Sequence, residues 1–464
     1  MLATEDFMTT STVDAASSMP VSTPRSAWWL LAVVVACYAV AALGGYTFDD
    51  SPALLNHPAV NGQAPWWEVF TREYWGKPMS EGWSSSYRPV TTLSFALEHR
   101  ITPAPWLHHV VNILLYAWLC TLVLRYAKTR LSESAAWCAA LWFATTPIHS
   151  ENVASIVGRA DVLAASLGLL ALMWGRPGAK RPRAAGAACL YLAALLCKEV
   201  VALLPGILLL DLAIAWRSTG RIRWDQARGP VAVAVTGLAY ITWRQFTLPV
   251  GLPTDFILAD NMLMELSGPT RWWGNLDLLG GYLSTAIAPA KLCADHTFAD
   301  VMPPSSPLSF ESWRAWIGVA AVFGIGLDAW RAWQGRSKAH VLRFAIAYLL
   351  VGQWVVDLSV IFAERIFLWS SIFMAVPLGE ATVWVWQRQP AGTQKRLLAL
   401  GCVLFMMYGF RCATRSLDWR SPLSLHSADA DSCPAALHNR VHLAKAYQRS
   451  AAPGDALWNF AVAL

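Results

Sequence analysis

The chain has 464 residues, of which 56% are hydrophobic and 14% are charged, and its mean hydropathy is +0.39. A soluble protein of this size carries about 25% charged residues, so the composition excludes an ordinary soluble domain. The net charge of +6 comes from basic residues in short loops between apolar runs, a pattern that indicates membrane topology rather than nucleic-acid binding.

The N-terminal region predicts a tail followed by a membrane anchor. Residues 1–26, rich in Ser and Thr, are predicted to form a disordered cytoplasmic tail. No small-residue cleavage site follows the first apolar run, so this run predicts a retained helix rather than a signal peptide. Together with ten further apolar runs, several of them short for a span, it predicts an all-α polytopic bundle of about 11–13 transmembrane helices. The eleven candidate spans are 27–46, 107–127, 134–148, 160–175, 184–197, 200–216, 230–248, 314–334, 341–361, 366–386 and 397–413.

Basic residues fix the predicted topology. Every second loop is rich in Arg and Lys and is therefore assigned to the cytoplasm, which puts the N-terminus inside and the C-terminus outside. One further apolar segment, 272–289, would break this parity if it crossed the membrane. It is predicted to be an outer-surface or re-entrant helix, since irregular or interfacial segments are tolerated at that depth.

The loops assigned to the outer side hold the unusual polar sequences. These loops are 47–106, 149–159, 198–199, 249–313, 362–365 and the tail after about 414. They deliver acids, Arg, Lys and His to one membrane face, and no comparable mixed set is apparent on the other face. Ionisable residues near membrane depth are candidates for function. The predicted site comprises the candidate catalytic acids Asp49 and Asp50, the candidate anion-binding cations Arg88, Arg159, Lys198 and Arg365, the supporting acids Glu151, Asp161, Glu199 and Glu364, and His149, to which the family resemblance described below also assigns phosphate binding.

This set suits transfer from a lipid-linked phosphate. Cationic groups bind a phosphate at the membrane surface and stabilise the charge that grows on it as it leaves. An acceptor hydroxyl needs a carboxylate within hydrogen-bond reach as general base, which Asp49 or Asp50 would supply. Phosphate already leaves well, so an inverting transfer needs no separate general acid.

Each motif also has a purely structural interpretation. The acidic pair also fits a solvated helix end, and His149 and Glu151 also fit helix caps. The neighbours in Lys198-Glu199 and in Glu364-Arg365 also fit ion pairs that make turns tolerable within the membrane. The side chains of Arg88 and Arg159 also fit cations that reach lipid phosphates.

The nine cysteines show no CxxC pair, and most of them lie in apolar runs. Core packing is the interpretation that this placement favours. The spacing therefore predicts neither a disulfide framework nor a zinc site.

Read together, the motifs resemble the TMTC-type O-mannosyltransferases of the GT-C glycosyltransferase superfamily, polytopic proteins with tetratricopeptide repeats. The resemblance runs in order through the chain, in the segments 48–50, 87–93, 109–112, 147–151, 158–161, 198–199, 292–295, 363–365 and 417–420. It implies that residues 27–413 form a GT-C domain whose first outer loop, 47–106, carries the catalytic acid. It also implies a dolichyl- or polyprenyl-phosphate mannose donor and a Ser/Thr hydroxyl on an extracytoplasmic protein as acceptor.

Metal dependence varies within that superfamily. Asp49, Asp50, His149 and Glu151 are suitable ligands for a hard divalent cation, but their spacing does not require one. No metal ligand is therefore assigned, and no cofactor is predicted to be required.

The extracytoplasmic tail, 414–464, departs from the family pattern. Residues 440–464 fit a single, partial tetratricopeptide repeat, although about three repeats are needed to bury a continuous core. The alternatives are a truncated array, a helix pair that packs on the membrane domain, a pair that docks on a separate repeat protein, or a plain amphipathic hairpin. A repeat would offer a protein-binding surface.

Two other functions compete with glycosyl transfer. A transporter or flippase for a lipid-linked sugar would place polar residues near the bilayer midplane and show internal repeats, whereas this polar set is one-sided and no repeat is apparent. An inactive scaffold would have no use for acids and bases gathered on one face. The Ala-, Arg- and Trp-rich composition suggests a bacterial plasma membrane.

Overall fold

A computed structural model of the protein describes residues 24–81, 86–248, 261–297, 301 and 309–449. Within these ranges the chain is helical and contains no strand, which confirms the predicted all-α class. The α-helices are α1 (Pro24–Tyr38), α2 (Pro58–Asn61), α3 (Pro89–Ile101), α4 (Pro105–Lys128), α5 (Glu133–Thr145), α6 (Ser150–Ala154), α7 (Arg159–Gly175), α8 (Arg181–Leu195), α9 (Leu204–Thr219), α10 (Trp224–Thr247), α11 (Gly268–Ile287), α12 (Trp313–Trp333), α13 (His340–Val351), α14 (Leu368–Gln387), α15 (Ala391–Asp418), α16 (Pro422–Ser432) and α17 (Leu437–Arg449).

The described residues contain six helical segments that are long and apolar enough to cross a membrane. A seventh is added if α6 and α7, which meet at a bend of 108°, form one broken span. The polytopic membrane class is therefore confirmed, with fewer long apolar helices than the eleven predicted spans. The difference arises because predicted spans such as α5 and α13 are helices of 13 and 12 residues. At about 1.5 Å per residue, each covers only about 20 Å.

Small residues let short helices pack deep in the bundle. The face of α5 carries Ala135 and Ala139, both buried, and it packs on α14 at Gly379. A Cβ atom at Gly379 would lie 2.3 Å from the carbonyl oxygen of Ala135, so only glycine allows this approach. Close backbone contact between small residues is a principal source of helix association in membranes. This explains how a 13-residue helix is held in the core.

The opposite situation holds for α15, whose apolar surface is largely uncovered. Its side chains at Leu398, Met406, Met407 and Phe410 are more than half exposed. A helix that is apolar and unburied over so much of its length is stable only in contact with lipid.

The segment that was predicted to be an outer-surface or re-entrant helix forms α11. It packs antiparallel against α12, since Gly280 contacts the backbone of Arg314 and Gly318 contacts that of Leu276. An ion pair between Asp277 and Arg314, at 2.8 Å, reinforces the contact. That α11 does not cross the membrane stays a prediction.

A disulfide joins Cys293, in the loop after α11, to Cys433, between α16 and α17. The prediction that the cysteines form no disulfide is therefore wrong. The two residues are 140 positions apart, so their spacing gave no signal of pairing. The bond fastens the C-terminal helices to the membrane domain, where α17 forms the first part of the predicted repeat. Residues 450–464, which hold the rest of that repeat, lie outside the described residues, as do 1–23 of the predicted tail.

Candidate functional site

The first loop begins with a strained turn. After α1 and a 3₁₀ helix at Ala39–Leu43, the chain is extended and then turns at Phe48, whose φ of 46° lies in the left-handed region. This conformation costs a non-glycine residue about 1–3 kcal/mol, so the surroundings must support it. The Phe48 ring packs edge-on against His426 of α16 and His442 of α17, with ring centroids 5.9 and 5.4 Å apart. The turn is therefore held by the C-terminal helices.

The residue after this turn, Asp49, lines a small cavity that we call the Asp49 pocket. The pocket collects residues from the first loop, the α6–α7 bend, the turn before α9 and the turn before α14. Six of its lining residues are ionisable, three acids and three bases: Asp49, Glu151, Asp161, Arg88, Lys198 and Arg365. The other lining residues are Phe48, Tyr74, Trp75, Ser155, Val157 and Gly158. Six of the eleven predicted site residues thus line one cavity.

Two pairs of opposite charges are already complete within the pocket. Lys198 Nζ lies 2.6 Å from Asp161 Oδ2, and Arg365 Nη1 lies 2.6 Å from Glu151 Oε1. The 108° bend between α6 and α7 brings Glu151 and Asp161, ten residues apart, to the same cavity. Charge-assisted hydrogen bonds of this length are the strong ones, so these four side chains form a fixed frame.

Arg88 is held more loosely than the other two cations. Its guanidinium stacks over the ring of Tyr74, 4.7 Å from the centroid, and its Nε lies 4.0 Å from Glu199 Oε2. That buried Nε has no hydrogen-bond partner, and Glu199 accepts from Arg244 Nη1 through its other oxygen, Oε1, at 2.8 Å. A buried donor without a partner is costly, which makes Arg88 the pocket cation best prepared to bind an incoming anion.

Asp49 is the pocket carboxylate without a fixed partner. Within the described part of the chain, no hydrogen bond or ion pair engages its side chain, although three cations line the same cavity. Burial raises the pKa of Asp49 above its ordinary value, against the opposing positive charges of Arg365, Arg88 and Lys198. An unpaired carboxylate with a raised pKa is what a general base requires.

Asp50 takes a different position from its neighbour. It is fully buried and accepts hydrogen bonds from the backbone N–H of Thr47, at 2.9 Å, and of Val157, at 3.1 Å. Burial raises the pKa of Asp50 to about 7, although these N–H donors favour the charged form. Asp50 therefore ties the first loop to the α6–α7 bend and does not line the pocket.

Two predicted phosphate-binding residues lie outside the pocket lining. His149 is fully buried, with Nδ1 2.8 Å from the Tyr116 hydroxyl and Nε2 2.8 Å from Ser371 Oγ. Arg159 has no exposed surface, so the alternative that it reaches lipid phosphates is wrong. Its Nη1 lies 2.5 Å from Glu98 Oε1, an acid that the sequence analysis did not single out.

The neighbouring charges in the two short turns do not pair with each other. Lys198 pairs with Asp161 and Glu199 with Arg244, rather than with one another. Glu364 is buried and accepts from the backbone N–H of Cys293 at 2.8 Å. Glu199 and Glu364 are therefore engaged by other partners and do not line the pocket.

The hard-cation set considered from the sequence does not assemble in the described structure. Asp49 and Glu151 share the pocket, but Asp50 is engaged by backbone N–H groups and His149 by Tyr116 and Ser371. These four side chains offer no common ligand cluster.

Aromatic residues in the pocket wall were missed as site residues. Tyr74 and Trp75, which were not predicted as site residues, both line the pocket. Tyr74 is buried and carries Arg88 on its face. The hint in the sequence was that these rings precede Arg88 in the same first loop.

A mixed set of charges also exists at the other end of the bundle. Helix α4 begins beside the site, at the buried His108–Glu98 pair, and ends about 36 Å further along its axis. There Asp211 lies 3.0 Å from Arg130 Nη2 and 2.5 Å from Arg343 Nη2, and we call these three residues the Asp211 cluster. The prediction that only one face gathers acids and bases is therefore wrong.

The fold and site together define a polytopic all-α membrane protein with an ionisable pocket at one end of its bundle. No family model matches the chain. It is 34% identical to protein O-mannosyl-transferase Tmtc2 of Drosophila melanogaster over 242 residues, which are 49% of this chain and 25% of that protein. It is 26% identical to human protein O-mannosyl-transferase TMTC3 over 435 residues, and 26% identical to human TMTC4 over 485 residues.

Over most of its length the chain is thus similar to TMTC-type protein O-mannosyl-transferases. The match covers 85% of this chain with TMTC3 and 88% with TMTC4, but only 46% and 62% of those proteins. The chain thus spans between a quarter and two thirds of the length of these curated relatives.

Proposed function

We propose that the protein is a membrane glycosyltransferase that moves mannose from a polyprenyl-phosphate donor to a Ser or Thr hydroxyl of an extracytoplasmic protein. The names of the relatives support mannose as the sugar and protein as the acceptor. One structural observation carries the proposal: Asp49 is unpaired in a pocket whose other two acids are engaged by cations.

Asp49 acts as the general base in this proposal. The acceptor hydroxyl donates a hydrogen bond to the Asp49 carboxylate and attacks the anomeric carbon of the sugar from the face opposite the phosphate. The new carbon–oxygen bond forms as the bond to the phosphate oxygen breaks, and the hydroxyl proton passes to Asp49. A single displacement of this kind inverts the anomeric configuration.

Arg88 binds the phosphate that leaves. Its Nε lacks a hydrogen-bond partner and its guanidinium lies over Tyr74. The N–H group of Arg88 is therefore oriented before the phosphate binds. A hydrogen-bond donor that is already in position stabilises the negative charge of the leaving phosphate without reorganisation during the reaction. Lys198 and Arg365 are already paired with Asp161 and Glu151 and keep these acids in place. Their positive charges also attract the phosphate electrostatically.

The disulfide supports an extracytoplasmic position for the pocket. The backbone N–H of Cys293 donates to the carboxylate of Glu364, the neighbour of the pocket residue Arg365, so the disulfide lies at the pocket end. Disulfides persist in oxidising compartments and are rare in the cytosol. This agrees with the outer assignment of the loop 249–313 and of the tail after 414.

The transport alternative has less support. It predicts polar groups at the bilayer midplane, whereas the Asp49 pocket is built from turns and helix ends. The relatives are also named as transferases.

The test is a transfer assay with purified protein, radiolabelled polyprenyl-phosphate mannose and an extracytoplasmic protein extract. Wild type is expected to move label into protein. Asp49→Asn is expected to lower kcat/KM about 10²–10⁴-fold, the usual contribution of a general base, with an unchanged Tm and unchanged donor binding. The matched control is Glu68→Gln, which removes a first-loop carboxylate that pairs with Arg72 and does not line the pocket.

Full activity of Asp49→Asn would refute the assignment of the base. Label that crosses vesicles without entering protein, in wild type and variant alike, would replace the transferase by the transporter.

A further inference from the structure

A second group of ionisable side chains lies next to Phe48, whose ring packs against one of its members, His442. It comprises Asp295, in the loop after α11, and His438 and His442 of α17. One ligand atom from each of the three lies within 4.8 Å of the other two, and Asp295 Oδ2 is 3.4 Å from His438 Nδ1. None of these residues was predicted as a site residue.

The local structure fixes this arrangement from both sides. His438 and His442 are four residues apart on α17, so their side chains lie on one face, one turn apart. The loop that carries Asp295 is joined to the start of α17 by the Cys293–Cys433 disulfide. The backbone N–H of Ala294 also donates to Asp429 of α16, at 3.3 Å. The three side chains are therefore brought together by covalent and hydrogen-bonded contacts next to each of them.

Asp295 is a buried carboxylate with only one of its two oxygens engaged. Its relative exposure is 8%, one carboxylate oxygen faces His438, and the other, Oδ1, has no hydrogen-bond partner. Leaving a buried charged oxygen without a partner costs more than an ordinary lost hydrogen bond, so native proteins rarely do it. A cation bound between Asp295 and the two imidazoles would satisfy that oxygen. The histidines are only partly buried, which leaves a path for an ion from solvent.

The ligand chemistry is that of a transition metal. Two imidazoles and one carboxylate bind Zn²⁺ at about 2.0–2.2 Å, and a tetrahedral pair of such bonds separates the ligand atoms by about 3.3 Å. The Asp295–His438 separation of 3.4 Å matches this value. We propose that Asp295, His438 and His442 form a site for a divalent transition metal ion such as Zn²⁺, which clips α17 to the loop after α11.

A neighbouring group of possible ligands is excluded by its chemistry. Cys293, His296 and Cys433 are also close together, but their two sulfurs are joined in the disulfide and offer no thiolate. The proposed site uses no sulfur and so coexists with the bond. Because Phe48 packs on His442, an ion there would also steady the turn that carries Asp49.

The test measures metal directly and does not depend on sugar transfer. The full chain is purified without a polyhistidine tag or reductant, dialysed against chelator, and titrated with Zn²⁺ alone. Wild type is expected to retain one ion per chain by elemental analysis and to show a Tm that rises with Zn²⁺ concentration. Asp295→Asn and the double variant His438→Gln/His442→Gln are expected to lose both the stoichiometric ion and the rise in Tm.

The matched control is His99→Gln, which removes a histidine of α3 that belongs to neither ligand group and should leave binding unchanged. Absence of bound Zn²⁺ in the wild type would overturn the proposal, and so would binding that survives in the double variant. Binding that appears only after reduction and is lost in Cys293→Ser would overturn it in favour of the sulfur group.

Discussion

The two ends of the bundle hold buried charges in opposite ways. In the Asp211 cluster, both carboxylate oxygens are engaged, one by Arg130 and the other by Arg343. In the Asp49 pocket, Asp161 and Glu151 are each paired with a cation, although Asp161 Oδ1 has no hydrogen-bond partner, whereas Asp49 has no such pair and Arg88 keeps a donor unused. A carboxylate held by two arginines is part of the structure, whereas an unpaired acid beside an unpaired donor is available to a substrate.

The positions of the two groups agree with this difference. The Asp211 cluster joins α9, α13 and the turn after α4, so it fixes three elements relative to one another. The Asp49 pocket is built on the bend between α6 and α7 and on short turns, where side chains converge on a cavity. Buried charge at one end therefore serves stability, and at the other end it serves the proposed reaction.

The largest effect that would test this contrast is expected for Asp211→Asn. The change leaves two largely buried guanidinium groups without their anion, which costs about 3–5 kcal/mol when one partner of a buried pair is removed. Thermal unfolding in detergent should show a large fall in Tm, with near-normal turnover per folded molecule. Asp225→Asn, which breaks an exposed pair with Arg223, should change Tm little. A stable but inactive Asp211→Asn would reverse the roles assigned to the two ends.

The sequence could predict the all-α membrane class and the six ionisable residues that line the pocket, because their motifs fall in loops that the positive-inside rule assigns to one side. It could not predict which member of each charged dipeptide lines the cavity. The pairs Asp49/Asp50, Lys198/Glu199 and Glu364/Arg365 each contribute one residue to the lining, while the other bonds behind it. Which member of a dipeptide lines the cavity depends on the partner that the folded chain offers to the other member, and the dipeptide itself does not specify that partner.

Contacts between distant segments were beyond the sequence for a different reason. Glu98 neutralises Arg159 across 61 positions, and Cys293 pairs with Cys433 across 140. Neither spacing matches a local motif, so only the packing of the bundle reveals them. The apolar run of α5 was also predicted to be a membrane span. It reflects the burial of α5 between other helices, since 13 residues are too few to cross the membrane.

A smaller effect is expected for Arg88→Gln, which removes the cation with the unused donor. A hydrogen bond to a charged group contributes about 1.5–3 kcal/mol, so the KM for the lipid-linked donor should rise roughly tenfold or more. Steady-state kinetics with varied donor would measure it. Arg72→Gln is the matched control, since Arg72 is a first-loop arginine paired with Glu68 outside the pocket lining. Equal changes in both variants would mean that Arg88 has no special contact with the donor.

A steric change tests the bend that carries two of the pocket acids. A Cβ at Gly158 would lie 2.6 Å from the carbonyl oxygen of Asn152, a backbone atom that cannot yield as a flexible side chain would. Gly158→Ala should therefore lower stability by about 1–3 kcal/mol and reduce turnover, as overpacking does in other cores. Both are measurable on one preparation by thermal unfolding and the transfer assay. Gly324→Ala, where nothing lies within 4 Å of the added atom and the site is inside helix α12, should lower neither quantity.

The smallest expected effect is a shift in the pH profile. As a general base, Asp49 must be deprotonated, so kcat/KM should fall tenfold for each pH unit below its pKa. Burial raises that pKa, and the acid limb should therefore lie above the ordinary aspartate value of about 3.9. The guanidinium of Arg88 favours the charged carboxylate and opposes the rise, so Arg88→Gln should move the limb to still higher pH, while Arg72→Gln should not. A limb that stays in place in Arg88→Gln would mean that the titrating group is not Asp49, since the charge removed lines the same cavity.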